Sequence, residues 1–491
     1  MTMSRRLFFL LLPVCVLAVL PAEGAEPVTL DGRRQFFLDN ALIQEMKGVV
    51  RKINQPKKRD DNPIFSPEKP WEGEATYLYG SVLKDPVSGV WRMWYQCFDD
   101  QAPLAERSFL CYATSPDGIH AWSRPVLGQF AYRGSKANNI FYGTGYRDTH
   151  SASVVLDPRP GKDAERYKLF CWDVKPGRGL HYAWSADGVH WNYHPGNPVW
   201  TGIGDVPVTL WDPYTEKFLC YAKVNREVLH RNRRVIAVGE SEDGVHWTPP
   251  RTVLQPDELD PYDTDFYGMT VLPYEGLYLG LVWVFHTDRR RDVIDVQMAY
   301  SRHATEGWKR VASLDRSGQE HRDVFLPLGE RDSWEDGMVF TNNSPAVFDD
   351  HIRFYYSGWD ERHDQGVRRH GAIGIAELPA DRFVFLEAED RGFVRTVPLR
   401  WNGRRLAVNV DSAGGEVRVG VRGSDGAPLP GLDTASCDPI CTDSLRHAVS
   451  WRGRSDLSSL NGKSVSLEFR ITKAKLFSFF AERGEGESAG R

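Results

Sequence analysis

Short runs rich in Val, Tyr, Phe and Trp alternate along this chain with clusters of Gly, Pro and Asp, and no long stretch repeats its apolar positions with helical spacing. That pattern predicts strands joined by tight turns, an all-β chain. The runs also recur in order. "SVLKDPVSGVWRMWYQ" (81–96), "SVVLDPRPGKDAERYKLFCW" (153–172) and "VTLWDPYTEKFLCYA" (208–222) each read as an apolar strand, an Asp-Pro turn and an aromatic strand. "TVLPYEGLYLGLVWVF" (270–285) and "PAVFDDHIRFYYSGW" (345–359) follow the same plan more loosely. A third strand and a turn come next: "TSPDGIHAW" (114–122), "WSADGVHWNY" (184–193) and "ESEDGVHWT" (240–248), then the variants "VQMAYSRHATEGWKRV" (296–311) and "GAIGIAELPADRFVFLEA" (371–388). Five units of about 55–75 residues, each supplying four antiparallel strands, predict a five-bladed β-propeller over residues 25–388. A pair of packed sheets would also be all-β, but it gives no reason for a fivefold recurrence.

The Asp-Gly motif places His120, His190 and His246 in equivalent contexts. Asp-Gly between strands is a hairpin signal, because Gly accepts the positive φ that the turn requires, and the Ser and Asp side chains can bond the turn's own amides. Falling between the third and fourth strands of a blade, the motif belongs at the outer rim. The three histidines are then too far apart to share a metal. It is similar to the Asp-box turn of sialidases, shortened by one residue.

Beyond residue 388 the rhythm changes. "RRLAVNVDSAGGEVRVGVRGSDGAPLPGL" and "SVSLEFRITKAKLFSFF" predict a small C-terminal β-sandwich over 389–481, followed by a flexible polar tail, 482–491. At the other end, Arg5 and Arg6 precede an apolar run from Leu7 to Leu20 and then small residues. This is the pattern of a signal peptide, residues 1–24, so the mature chain is expected in the periplasm or outside the cell. The run is short for a membrane span. Val14 occupies the place where lipid attachment at Cys15 would want a small residue.

Composition narrows the partners. A formal net charge of -5 supplies no cationic field for nucleic acid. The 16 Trp suit a large core and equally suit stacking against sugar rings. Export permits disulfides; Cys97 with Cys111, and Cys437 with Cys441, are the candidate pairs, whereas Cys171 and Cys220 sit in strand-like runs and read as buried thiols. No cysteine spacing matches a zinc site. Oligomeric state is not legible.

In a propeller, the loops entering the innermost strands form the mouth of a central channel. Those segments are "WEGEATYLYG" (71–80), "YRDTHSAS" (146–153), "TGIGDVPV" (201–208), "YDTDFYGM" (262–269) and "WEDGMVFTNNS" (334–344). Each carries a carboxylate: Glu72 or Glu74, Asp148, Asp205, Asp263 or Asp265, and Glu335 or Asp336. Acids converging in one funnel repel and raise each other's pKa, which makes sense if they share protons, bind a cation or act on a substrate. Glycoside hydrolysis needs two such groups, one to protonate the leaving oxygen and one to activate water or attack carbon. We therefore expect Glu72, Asp148 and Asp205 as catalytic groups. Glu74, Arg147, His150, Asp265, Tyr267, His286, Glu335 and Asp336 are expected around the substrate. Asp265 beside Tyr267 suggests a stacking platform, and His286 closes the next strand. No cofactor is required, and a structural calcium ion in the channel is compatible with so many acids. The basic stretches "HRNRRV" (230–235) and "DRRRDV" (288–293) read first as solvated hairpin loops. Arched over the mouth, either would favour an anionic sugar or hold phosphate.

Five blades, a channel-mouth acid in each of the first three, and a trailing β-sandwich resemble the glycoside hydrolase superfamily of families 32 and 43. The chain looks most like exported bacterial proteins described as family-32-like. The resemblance implies action on fructans, arabinans, xylans or related sugars. "YRDTHS" is similar to that group's Arg-Asp-Pro motif, with Thr149 for the Pro, which implies an orienting or transition-state carboxylate at Asp148. "WEGEA" stands where the nucleophile motif belongs, leaving Glu72 or Glu74 as substitutes, and "GIGDV" puts Asp205 in the acid/base place. The implied function is an exported glycosidase. The alternatives are a glycan-binding propeller without catalysis and a glycoside phosphorylase.

Overall fold

The computed structural model describes residues 28–99, 102–103, 107–142, 149–159, 161–287, 292–363 and 370–483. It is an all-β structure; apart from strands, the described residues form two single-turn helical segments, Asp163–Glu165 and Ser458–Leu460. Among them no helix is long and apolar enough to cross a membrane. Two compact units divide the chain. One comprises Ile53–Ala312 and Arg322–Phe383; the other gathers the chain up to Lys52, Ser313–His321, and the chain from Val384 onward.

The larger unit is a β-propeller built from the predicted repeats. Ala75–Lys84, Trp91–Phe98, Ser108–Ser115 and Ile140–Tyr142 form one antiparallel group. His150–Leu156, Tyr167–Asp173, Gly179–Ser185 and Asn192–Tyr193 form the next. The third is Val208–Asp212, Lys217–Val228, Arg231–Ser241 and Arg251–Leu254. Thr264–Tyr274, Leu277–His286, Val293–Ser301 and Lys309–Arg310 make the fourth. In the last group, the interrupted strand Met338–Thr341/Ala346–Val347 pairs with His351–Trp359, which pairs with Gly371–Pro379. Its outermost strand, Lys57–Lys58, comes from the start of the unit, with Lys58 opposite Ala376. The two ends of this unit thus lock one group.

First strands of successive groups converge, so they carry small side chains where they meet. Ala152 bridges Gly80 in parallel register. Thr209 N donates to Ser153 Oγ (3.1 Å), Thr270 Oγ1 to Asn342 O (2.9 Å) and Asn343 N to Gly80 O (3.0 Å). A Cβ at position 80 would lie 2.0 Å from the Trp94 carbonyl oxygen, which explains the glycine. Aromatic side chains fill the wedges further out. Trp94, fully buried, packs on Tyr112 of its own group and Tyr167 of the next; burying such a side chain stabilises by roughly 2–3 kcal/mol.

The Asp-Gly motifs are turns, as their composition predicts. In the first, Ser115 Oγ accepts from Gly118 N (2.9 Å), and Asp117 Oδ1 accepts from Ile119 N and His120 N. The other two repeat these bonds with Ser185/Asp187 and Ser241/Asp243. Trp247 closes the third copy and packs edge-on against Phe170 of the preceding group. "SRHATEGW" builds a related turn without Asp-Gly: Ser301 Oγ accepts from His303 N, and Trp308 Nε1 donates to Ala304 O.

In the smaller unit, Ser464–Glu482 is the spine. It pairs with Val384–Thr396 along one edge and with Arg405–Asp411 and Glu416–Arg422 along the other. Trp401, Val419, Trp451, Phe469 and Phe479 anchor its core. Gln35–Phe36 and Ile43–Lys47 also pair here, so the chain's beginning completes a sheet made mostly by its end. The spine includes buried Glu482, the first residue of the stretch expected to be a tail. Residues 1–24, expected to be a signal peptide, and 484–491 lie outside the described residues.

Among the described residues Cys97, Cys111, Cys171, Cys220, Cys437 and Cys441 are free thiols. Cys97 and Cys111 do meet, with their sulfur atoms 3.6 Å apart.

Candidate active site

Antiparallel pairing puts the end of each second strand beside the start of each first strand. Tyr77 is therefore opposite Gln96, His150 opposite Trp172, Asp265 opposite Phe285 and Met338 opposite Trp359. At this level three of the first strands are irregular: the register slips between Tyr77 and Ser81, between His150 and Ser153, and between Phe266 and Gly268. An extra residue in one strand turns a side chain away from the regular alternation. Tyr79, Ser151 and Tyr267 fall within these slips, and Ser151 adopts a φ of 61°.

The rings assemble into one aromatic floor. Tyr77 touches Tyr79 and Trp359 (centroids 5.2 and 4.9 Å), and Tyr79 stacks on Trp283 at 5.7 Å. Phe340 lies between Tyr79 and Tyr267, at 5.3 and 5.8 Å. Tyr267 is backed by Phe285 and His363, and its hydroxyl shares a 3.0 Å hydrogen bond with His363 Nε2. Burial pushes the Tyr79 phenol well above its ordinary pKa, with Tyr267 and Tyr77 reinforcing the shift.

Two carboxylates and several cations border this floor. Lys223 Nζ is 2.7 Å from Asp205 Oδ1 and 3.8 Å from the Tyr267 centroid. Arg234 lies over the Tyr267 and Phe285 rings (5.7 and 5.2 Å) and 4.0 Å from Asp265 Oδ2. His150 Nδ1 is 3.3 Å from Gln96 Nε2, and its ring is 6.4 Å from that of Tyr79. The two acids respond oppositely. Burial pushes the half-buried Asp205 carboxyl up, but Lys223 and His150 outweigh it and hold it well below the usual carboxylate range. Burial also pushes Asp265 up; there Arg234, Arg231 and Arg233 offset it only in part, and the pKa stays raised. Asp265 is 6% exposed, and its Oδ1 is buried with no hydrogen-bond partner.

Of the expected site residues, Asp205, Asp265, Tyr267 and His150 come together here. Glu72 does not. It is fully buried, accepting from the Glu68 and Lys69 amides (2.7 and 3.0 Å), from Tyr95 OH and from Arg124 Nε at 2.7 Å. With its oxygens so occupied and no solvent access, Glu72 anchors the segment entering the first group and is unavailable to a substrate. Glu335 pairs with Lys58 Nζ (2.9 Å), at the strand that locks the last group. Asp336 accepts from Asp332 N (2.7 Å), a turn contact. His286 alternates with Phe285 and so faces the other side of its sheet, where its Nε2 is 2.9 Å from Asp295 Oδ2. Glu74 is half-buried, its backbone carbonyl accepting from Gly371 N (3.3 Å). Arg147 and Asp148 lie outside the described residues, as does most of "DRRRDV".

Lys223, Arg234, Tyr79 and Gln96 are the residues that strand-entrance reasoning passes over. Their signal is faint: a Lys interrupting the apolar run "KFLCYAKV", and an Arg within a basic cluster. That cluster is mainly strand and not loop, because the Lys217–Val228/Arg231–Ser241 ladder continues to Val228 opposite Arg231. Among the described residues no group of three or more His, Cys, Asp or Glu is placed to hold a metal ion.

No protein-family model matches the chain, and no curated protein does. Among solved structures, it is similar to an N-acetylgalactosamine deacetylase from F. plautii (15% identity, TM-score 0.43, covering 72% of this chain and 95% of that one). It is also similar to a glycosyl hydrolase from Bacteroides ovatus (17%, TM-score 0.46, 67% and 95%). A third is a member of the GH130 family of mannoside phosphorylases, a family that contains glycoside hydrolases targeting β-1,2 mannosidic linkages in Candida mannan (18%, TM-score 0.44, 67% and 95%).

Proposed function

We propose that the chain is an exported glycosidase that cleaves a glycosidic bond of an oligo- or polysaccharide at the mouth described above. One observation carries this reading: two carboxylates border a single aromatic floor, and their surroundings drive their proton affinities apart. Such divergence is how one site holds an acid and a base together at one pH. Asp265, which keeps its proton to higher pH, gives it to the leaving oxygen as the C–O bond breaks. Asp205, held ionised by Lys223, takes a proton from the water that adds to the anomeric carbon. Tyr267 and Tyr79 offer ring faces to the sugar's C–H surface. Asp148 and Arg147 keep a role beside His150 on sequence grounds alone.

The test is release of reducing sugar from a broad glycan panel by the wild type and by Asp205→Asn and Asp265→Asn. Activity that survives both substitutions overturns the assignment. Binding of a glycan without turnover favours a non-catalytic propeller. A second reading has its own support: Lys223, Arg234 and His150 converge around these acids, with His363 on the Tyr267 hydroxyl, as an oxyanion acceptor would require. Under it, the reaction depends on inorganic phosphate and yields a sugar 1-phosphate, read directly by phosphorus NMR.

A further inference from the structure

The hairpin Lys217–Val228/Arg231–Ser241 is long for this propeller, and its far end departs from the charge character of the chain. Residues 225–235 hold Arg226, Arg231, Arg233 and Arg234 against the single acid Glu227, a local charge of +3 in a chain whose formal charge is -5. Elsewhere in this unit arginines meet carboxylates closely: Arg124 with Glu72 at 2.7 Å, Arg159 with Asp157 at 2.6 Å, Arg353 with Glu377 at 2.8 Å. Among the described residues the one such approach on this hairpin is Arg234 to Asp265, at 4.0 Å.

Arg231 is held in place without a carboxylate. Its NH1 donates to Tyr262 O (2.7 Å) and its NH2 to Thr287 Oγ1 (2.8 Å). Tyr262 itself is 71% exposed, an unusual position for a large aromatic side chain, with Arg231 and Arg233 at 5.5 and 5.4 Å from its ring. It immediately precedes the segment that carries Asp265 into the mouth. Of the acids nearby, Asp257 is committed to Arg322 (2.6 Å) and Asp260 to Arg310 (3.1 Å), while Asp263, whose backbone carbonyl accepts from Thr287, buries one carboxylate oxygen away from solvent. The hairpin's tip turns through Leu229 and His230, both exposed and at positive φ (50° and 60°), where Asn-Gly would be the unstrained choice.

We propose that Tyr262 and the partly exposed Arg231 form an outer subsite for an acidic residue of a glycan chain extending from the mouth, with buried Arg233, which donates to Thr264 O (3.0 Å), packed behind them. It rests on the glycan-cleaving reading given above and adds the substrate class. The tyrosine ring stacks on the sugar, and the held guanidinium pairs with its carboxylate or sulfate, for which a planar fork of N–H donors is suited. A neutral polymer would leave this charge unanswered.

Affinity electrophoresis of the full mature chain tests the idea. The gels contain uronate polymers (polygalacturonate, alginate), a sulfated polymer (chondroitin sulfate) or neutral ones (arabinan, xylan, mannan). Retardation by at least one acidic polymer and by no neutral one is expected, fading as salt rises from about 0.05 M to about 0.5 M. The arm that retards names the anion. Arg231→Ala and Tyr262→Ala should each weaken binding roughly three- to tenfold, and Tyr262→Phe should restore it. Equal retardation by neutral polymers, or variants that bind like the wild type, overturns the subsite. Asp205→Asn separates the two readings. If it binds an acidic polymer as the wild type does, and the wild type turns over no glycan, the subsite stands and the cleavage reading falls. Turnover of neutral glycans without acidic binding gives the reverse.

Discussion

Lys223→Met is the most searching perturbation of the mouth. It removes the ammonium 2.7 Å from Asp205 Oδ1 while keeping an apolar stem near the Tyr267 ring. Two unit charges at that separation attract by about 6 kcal/mol at an effective dielectric of 20 and about 1.5 kcal/mol in bulk water. The Asp205 side chain is 38% exposed, so solvent screens much of the attraction; about 2 kcal/mol is a fair figure, roughly thirtyfold in proton affinity. Burial alone would raise this carboxyl, and Lys223 with His150 depresses it below its unfolded value. The stabilisation is therefore present above the unfolded carboxyl pKa and disappears as pH falls through the folded one. The variant should be less stable than the wild type near neutrality by up to about 2 kcal/mol, with the gap closing in acid. Urea denaturation across pH measures it. Asp205 in the variant also takes its proton at higher pH, so the acid limb of kcat/KM should move upward on any glycan the enzyme turns over. A stability gap that stays constant into acid, together with an unmoved acid limb, would refute the role given to Lys223.

Asp265→Asn should abolish turnover while gaining relative stability as pH rises. The wild type must ionise a buried carboxyl whose folded pKa is raised, and it loses stability between the unfolded and folded values, whereas Asn does not; melting curves near pH 4 and pH 8 test this. Glu72→Gln should cost up to about 3 kcal/mol, because the buried Arg124 keeps only the exposed Glu68 (3.0 Å) as a counter-charge, yet the folded fraction should keep its specific activity; urea denaturation and activity per folded molecule check both. Gly80→Ala should destabilise severely, by about 3 kcal/mol or more, since the new methyl group meets the Trp94 carbonyl and not a movable side chain; denaturation of the variant reads this directly.

The sequence was most legible where physics is local. The repeated Ser-x-Asp-Gly turns need only their own residues, and their bonds to neighbouring amides recur in three places. The strand pairs flanking Asp-Pro turns were equally plain, because a period-two pattern and a tight turn suffice to define them. Asp205, Asp265 and Tyr267 could be singled out as mouth residues once the repeats had located the strand entrances. Glu72 shows the limit of that step. Its acid looks like the others in sequence, but the Arg124 that neutralises it is 52 positions away.

What the chain determined by itself is the all-β class, the repeat order and the turns, since each depends on neighbours within a hairpin. What only the tertiary structure decided is which side chains share the mouth. The end of each second strand returns beside the start of the first, bringing Gln96, Trp172 and Phe285 to the same level as Tyr77, His150 and Asp265. Register slips then turn individual side chains in a way no periodicity records. The electrostatics follow from that assembly: two aspartates alike in sequence acquire opposite proton affinities because one gains an ammonium at 2.7 Å and the other is buried with its nearest guanidinium 4.0 Å away. Charge and burial act through space, and the chain is ordered only along its length.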